Sequence, residues 1–141
     1  MTLGTDRMVR GEHVRSPASE SLGLPLIAGY GSGRVWYEWQ LDSRFIYAGG
    51  VLFGGYICAL IDDVGGYASQ TILSDDSMSV TSDIQVSLFR PAKVEDGWLR
   101  MDAEVVNASR RAHRVDARLT RKSDGRLIAR GTIIMSVVAR S

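Results

Sequence analysis

Gly54-Gly55-Tyr56-Ile57-Cys58-Ala59-Leu60-Ile61-Asp62-Asp63-Val64-Gly65-Gly66-Tyr67-Ala68 is the most apolar stretch of the chain, and two adjacent carboxylates sit in it. Its apolar residues do not alternate in twos. Set out at helical spacing they run all round the wheel, which predicts a buried helix over about residues 54–72. A carboxylate inside such a segment must find a partner, meet water or take up a proton, because desolvating it unpaired costs several kcal/mol or more. Asp62 and Asp63 are therefore where chemistry is sought. They point about 100° apart on a helix and are not expected to face one spot.

The period changes on either side of this stretch. Val35-Trp36-Tyr37-Glu38-Trp39-Gln40-Leu41 is aromatic and β-branched, hence a strand. After the helix, Val80, Ser82, Ile84, Val86 and Leu88 alternate with Thr81, Asp83, Gln85 and Ser87. Leu99, Met101, Ala103 and Val105 alternate with Arg100, Asp102 and Glu104, and Val115, Ala117 and Leu119 with Arg114, Asp116 and Arg118. Ser123-Asp124-Gly125 signals a hairpin, and Arg126 to Val138 makes a last strand with Ile128, Ile134 and Val138 on its outer face. One strand, one buried helix and four long antiparallel strands define an α+β domain with the helix in the concave side of the sheet. A helix apolar all round requires the sheet to wrap it or a second subunit to cover the rest. Residues 1–30 read as an irregular N-terminal segment and 31–141 as a single domain. Gly29, Gly31 and Gly33 punctuate a loop, but no helix start with a third spaced glycine follows, so this is not a dinucleotide fingerprint.

Composition narrows the function classes. The chain has 141 residues, 45% of them hydrophobic and 23% charged, as a one-domain globular protein would. A net charge of +1 gives no bulk attraction to nucleic acid or an anionic membrane. The one cysteine, Cys58, forms no internal disulfide and is expected to be a buried apolar residue. Two histidines and one cysteine, widely spaced, do not make a zinc site. His13 falls in the N-terminal segment, and His113, on a charged strand, is expected to be exposed. Met1 to Glu20 lacks a signal-peptide apolar run, and no stretch of 18 apolar residues exists. The expectation is a soluble cytoplasmic protein with no metal and no resident cofactor.

Three segments carry a resemblance to a known family. Gly49-Gly50-Val51-Leu52-Phe53-Gly54-Gly55, followed by Asp62, resembles the "Asn-Pro-x-Gly-x-x-His-Gly-Gly, six residues, Asp" signature of the phenylacetate-type acyl-CoA thioesterases, within the hotdog-fold thioesterase superfamily. Ser79 to Ala92 looks like their strand ending in Pro-Ala, and Asp124 to Thr132 is similar to their last hairpin. Together these cover roughly residues 33–138. The resemblance implies an antiparallel sheet wrapped around one long central helix, an acyl-CoA thioester as substrate, Asp62 as the matched acid, and a homodimer that in many relatives pairs into a homotetramer. Tyr47 and Phe53 stand where the family has its Asn and His.

Thioester hydrolysis needs donors aimed at a carbonyl oxygen that gains negative charge, and N–H groups at a helix N-terminus supply them. Gly54 and Gly55 open the helix, and glycine lets a ligand approach the backbone closely. Asp62 serves as general base or nucleophile, with the Thr81 or Ser82 hydroxyl as a donor to it. Asp62 lies eight residues beyond Gly54. At about 1.5 Å per residue that is about 12 Å, too far for one chain's two groups to close on one carbonyl. Two antiparallel helices in a two-fold dimer would each lend Asp62 to the other's Gly54. Asp63 is read as a structural neighbour bound to a strand donor or to an arginine such as Arg90. Phe53 is expected at the pocket mouth, and Tyr47 as a donor or a pocket wall. Arg110 and Arg111, with Arg90, are candidates for the coenzyme A phosphates, since arginine forks fit phosphate; a solvated hairpin explains Arg110 and Arg111 equally well. The competing reading is a non-catalytic acyl-thioester binding protein with the same pocket. A dehydratase needs a histidine beside the carboxylate, and neither histidine is placed for it.

Overall fold

The computed structural model describes residues 16–140. A one-turn helix α1 (Pro17–Ser21) and a short strand β1 (Gly29–Gly31) lead into β2 (Arg34–Gln40), and the long helix α2 (Gly54–Gln70) follows. Four strands complete the chain: β3 (Ser77–Leu88), β4 (Trp98–Ala108), β5 (Ala112–Arg121) and β6 (Leu127–Ala139). They form one antiparallel six-stranded sheet in the order β1-β2-β4-β5-β6-β3, with α2 packed on one face. This is the α+β hotdog architecture that the sequence pattern implies. His13 and the rest of residues 1–15 lie outside the described part.

The N-terminal boundary differs from expectation. Leu24 and Ile27 are buried in the core, and β1 pairs with β2, so the packed part starts before residue 31. The glycines at 29, 31 and 33 form a hairpin rather than an open loop. A side chain at Gly29 would collide with the Trp36 indole, and Gly33 adopts φ 73°, where glycine is unstrained.

Side-chain size controls how closely sheet and helix meet. The inward rows Val35/Tyr37, Leu99/Met101/Ala103, Val115/Ala117/Leu119 and Ala129/Ile133/Met135 are buried against Tyr56, Ile57, Leu60, Ile61, Val64 and Ala68 of α2. Each fully buried aliphatic side chain of this kind contributes about 1.5–3 kcal/mol. Between them sits Gly131, where a Cβ would stand 2.7 Å from Ile61 Cγ2. On the helix, a Cβ at Gly65 would stand 3.0 Å from Ile133 Cδ1. Only glycine at these two positions lets β6 and α2 approach this closely.

Three β-bulges interrupt the simple alternation; one leaves Val106 as the extra residue of β4, and the other two change which faces the sequence pattern assigns. β3 pairs with β6 from Ser77↔Ala139 to Thr81↔Met135 and again from Asp83↔Ile134 to Leu88↔Ala129, leaving Ser82 as the extra residue. Before the bulge Thr81 faces the helix; beyond it Ile84, Val86 and Leu88 do. Val80 and Ser82 therefore do not share the face of Ile84, as strict alternation had it. The second bulge, between Leu119 and Thr120, makes Ile128 the extra residue of β6. Ile128 is 2% exposed, so it belongs to the core and not to an outer apolar row.

Gly131→Ala should destabilise the protein by about 1–3 kcal/mol, the usual cost of overpacking a close contact. Gly31→Ala, where nothing lies within 4 Å of the added carbon, is the control and should change stability far less. Urea unfolding midpoints of the two variants check this; equal midpoints would remove the close-approach argument.

Candidate active site

Helix α2 starts where Phe53 is extended (φ −72°, ψ 142°), so its first N–H groups point out of the helix end. Tyr56 N–H turns back to the Phe53 carbonyl at 3.0 Å, leaving the Gly54 and Gly55 amides at the tip. A cleft of about 280 Å³ opens beside Gly54, lined by Tyr47, Val51, Leu52, Ile57 and the segment Leu88 to Ala92, Arg90 included. Tyr47 lines this cleft and is exposed. Phe53 does not line it: its ring folds back over Gly55, where a Cβ would be 2.6 Å from Phe53 Cε2, and lies 6.2 Å from the Tyr56 ring. Tyr56 in turn stacks on Phe45 at 4.0 Å and donates to the Gly23 carbonyl. The aromatic cluster thus anchors the first turn of the helix.

A second cleft, of about 260 Å³, opens on the exposed flank of α2 further along, lined by Ser16, Ser19, Asp62, Asp63, Gly66, Tyr67, Gln70 and Thr81. Asp62 Oδ1 accepts a 2.6 Å hydrogen bond from the Thr81 hydroxyl. Ser82, the other hydroxyl expected there, instead donates to the Ile134 carbonyl at 3.1 Å, because the bulge turns it away from the helix. Asp63, about 100° from Asp62 on the helix, also lines this cleft. On Asp63's flank stands the buried Tyr37 hydroxyl, which donates to the Leu60 carbonyl at 3.1 Å. Burial first, and the Asp63 carboxylate second, push that phenol well above its usual range, so it stays a neutral donor. Arg90 lines the other cleft, so it is not brought to Asp63.

The remaining candidates separate in space. Arg110 and Arg111 are exposed on the β4–β5 hairpin. Residue 113 of the same hairpin contacts the C-terminal end of α2, whereas Arg90 stands at its N-terminal end. One chain therefore does not gather the three arginines at one nucleotide. Cys58 is half-buried on the helix rather than in the core. Among the described residues no group of His, Cys, Asp and Glu is arranged to hold a metal ion, and no helix is long and apolar enough to cross a membrane.

His113 is the clearest reversal. It is 5% exposed, and its Nδ1 lies 2.7 Å from the hydroxyl of Ser69, which has no exposure at all. Charged neighbours on β5 suggested a wet position, but strand alternation places residue 113 on the same inward face as Val115 and Ala117. That periodicity was the signal that could have located it.

An antiparallel sheet clasps a helix with glycine amides at its tip and a carboxylate two turns along, and known proteins share this architecture. The model of the thioesterase superfamily matches residues 49–128, more than half of the chain, and the chain belongs to that superfamily. No curated protein matches it. Among solved structures it is similar to AziG of S. sahachiroi, with 26% identity and a TM-score of 0.82 over 89% of this chain and 98% of that one. It is also similar to a putative thioesterase, a phenylacetic acid degradation-related protein from Ralstonia eutropha JMP134, with 27% identity and a TM-score of 0.81 over 94% and 98%. A Streptococcus mutans UA159 protein solved with acetyl-CoA shares the fold at 23% identity, with a TM-score of 0.73 over 81% and 88%.

Burial of His113 has a consequence for stability. Desolvation lowers its folded-state pKa below the ordinary imidazole value. As pH falls below about 6.5, the unfolded chain takes up a proton that the folded protein refuses, so stability drops until the folded pKa is reached. His113→Gln keeps a group able to bond Ser69 but does not titrate. Between about pH 7.5 and 5.5 the wild-type unfolding midpoint should fall more steeply than that of His113→Gln. Parallel profiles from chemical denaturation would refute a buried neutral imidazole.

Proposed function

We propose that the protein is an acyl-CoA thioester hydrolase whose site is shared by two copies related by a two-fold axis. Each copy contributes the Gly54 and Gly55 amides at one site and Asp62 at the other. The observation that carries this reading is the Asp62–Thr81 bond of 2.6 Å on the open flank of an otherwise buried helix, in a cleft separate from the one at Gly54. Two half-sites about 12 Å apart on one rigid helix are of use to a single carbonyl only when a second helix runs antiparallel beside the first. Superfamily membership and the acetyl-CoA held by the Streptococcus mutans relative support the substrate class.

Two further features favour the dimer. β3 is an edge of the sheet, and Met78, Val80, Ile84, Leu88 and Phe89 on and after it are exposed. A long, apolar, uncovered edge invites pairing with another chain. The open flank of α2 carries Gly55, Cys58, Ala59, Asp62 and Gly66, small residues that allow a second helix to come near. The same two-fold axis brings the Arg110–Arg111 hairpin of one copy toward the end of the other that holds Arg90 and Tyr47. All three arginines would then reach one coenzyme A molecule.

In the reaction, the thioester carbonyl oxygen accepts from the Gly54 and Gly55 N–H groups of one copy. Asp62 of the other removes a proton from water as the water oxygen bonds to the carbonyl carbon. The C–S bond then breaks, and the leaving thiolate recovers that proton from Asp62. Attack by the Asp62 carboxylate itself, through an anhydride that water opens, uses the same placement. The Thr81 hydroxyl aims the carboxylate in either route. A second reading, an acyl-thioester binding protein without turnover, is favoured by one observation: the ring of Phe53, where relatives have an imidazole, offers no polar group.

Thiol release across short, long and aryl acyl-CoAs separates these readings. Asp62→Asn should lower kcat by about 10²–10⁴, the usual worth of a general base. Thr81→Val should cost about tenfold, near 1.4 kcal/mol for one aligning bond. Asp63→Asn should retain most activity. Saturable acyl-CoA binding with no thiol release by the wild type would leave the binding-protein reading standing alone.

A further inference from the structure

Helix α2 carries two adjacent glycines past its middle, Gly65 and Gly66, neither of them at a positive φ. Glycine inside a helix destabilises it relative to alanine, because the unfolded chain has more backbone freedom to lose. Gly65 has a packing reason to be there: a Cβ would stand 3.0 Å from Ile133 Cδ1. Among the described residues Gly66 has no such reason. The nearest atom to a Cβ added at residue 66 is Met135 Cε at 4.0 Å, an ordinary van der Waals separation. The chain's own packing therefore admits alanine at 66.

What the missing side chain leaves open is the cleft of about 260 Å³ that holds Asp62. Residue 66 is one turn past residue 62, about 6 Å along the axis and about 40° round it. Gln70, another wall of the cleft, stands one turn further again. From Asp62 the cleft thus passes over Gly66 toward Gln70. Its described walls include two carboxylates, Asp62 and Asp63, and no arginine or lysine. The cleft beside Gly54 instead carries Arg90. A coenzyme A thioester has two ends to place. Its phosphates suit the cleft with the guanidinium and are repelled by the one with two carboxylates. The acyl end is left with the Asp62 cleft.

We propose that Gly66 is a specificity-determining residue, whose missing side chain is the space in which the acyl group lies as it runs from Asp62 toward Gln70. This rests on the shared-site reading above, in which Asp62 meets the thioester carbon. The substrate class follows from the spacing. The methyl of an acetyl group ends about 1.5 Å from its carbonyl carbon and does not reach residue 66. An acyl group of six carbons does reach it, and fills the room that the glycine leaves. The helix gives up stability at this position, and selectivity for acyl groups longer than acetyl is what it gains.

The test is thiol release by the full chain from acetyl-CoA and hexanoyl-CoA, comparing wild type with Gly66→Ala and Gly66→Leu. A leucine side chain has four carbons, the same as the difference between the two acyl groups. Each methylene denied its contact is worth about fourfold, so the hexanoyl-to-acetyl ratio of kcat/KM should fall at least about tenfold in Gly66→Leu and about two- to fourfold in Gly66→Ala. The urea midpoint of Gly66→Ala should equal or exceed that of wild type, and a lower midpoint overturns the proposal by showing that packing requires the glycine. A variant that sediments at a smaller mass than wild type also overturns it, by assigning Gly66 to the contact between helices. An unchanged ratio in Gly66→Leu, with thiol still released, overturns it while leaving the shared-site reading intact. If wild type releases thiol from neither substrate, the hydrolase reading fails and the affinities for the two acyl-CoAs become the readout. Their ratio should then fall in the same order across the variants; an unchanged ratio, or binding of neither, overturns the proposal.

Discussion

A six-stranded sheet of one layer can cover only one side of a helix, and α2 is apolar on more than one side. That constraint organises the molecule. The sheet side of α2 is filled by Leu60, Ile61, Val64 and Ala68 with no exposure at all. Gly65 and Gly131 admit contact so close that any larger residue must displace Ile133 or Ile61. The remaining flank is left with small and polar residues. Asp62 tolerates that flank because its carboxylate accepts the Thr81 hydroxyl there, which the core side would deny it. The site is thus placed by the geometry of coverage, at the margin where the sheet stops.

The bulge at Ser82 adapts this margin. Without the extra residue, strict alternation would turn Thr81 outward whenever Ile84, Val86 and Leu88 face the helix. With it, β3 offers a hydroxyl to Asp62 at one end and apolar side chains beside Gly54 at the other. A bulge commonly re-aims one side chain in this way at a cost of one ladder position. The cost is reduced here because the Ser82 hydroxyl bonds the Ile134 carbonyl.

The sequence made the helix, its first residue and all four long strands legible, since periods of 3.6 and 2 are strong over ten residues or more. Asp62 and its Thr81 donor were also legible, the acid from its anomalous surroundings. What escaped depends on single-residue events. A bulge leaves no mark on composition, so the faces of Val80, Ser82 and Ile128 were misassigned. His113 was judged by its arginine neighbours, although its position in the alternation of β5 points inward. β1 was too short and too glycine-rich to register, and the core contacts of Leu24 and Ile27 come from a segment with no periodicity. Phe53 follows torsional and packing preferences at the helix tip that its identity alone does not give.

On the proposed reading, the rigidity of α2 is itself part of the chemistry. A buried helix of 17 residues fixes Gly54 and Asp62 at a separation no side-chain motion can close. One chain then has an oxyanion site without a base and a base without an oxyanion site. Tyr47 and Arg90 strengthen the first half, and Thr81 strengthens the second, but neither half gains what it lacks. The loss of hydrogen-bonding capacity at Phe53 raises the demand further, because it leaves the backbone amides as the main donors at the helix tip. Catalysis on this reading is a property of an interface, and the flank of α2 that the sheet leaves uncovered is the surface on which the proposed interface would form.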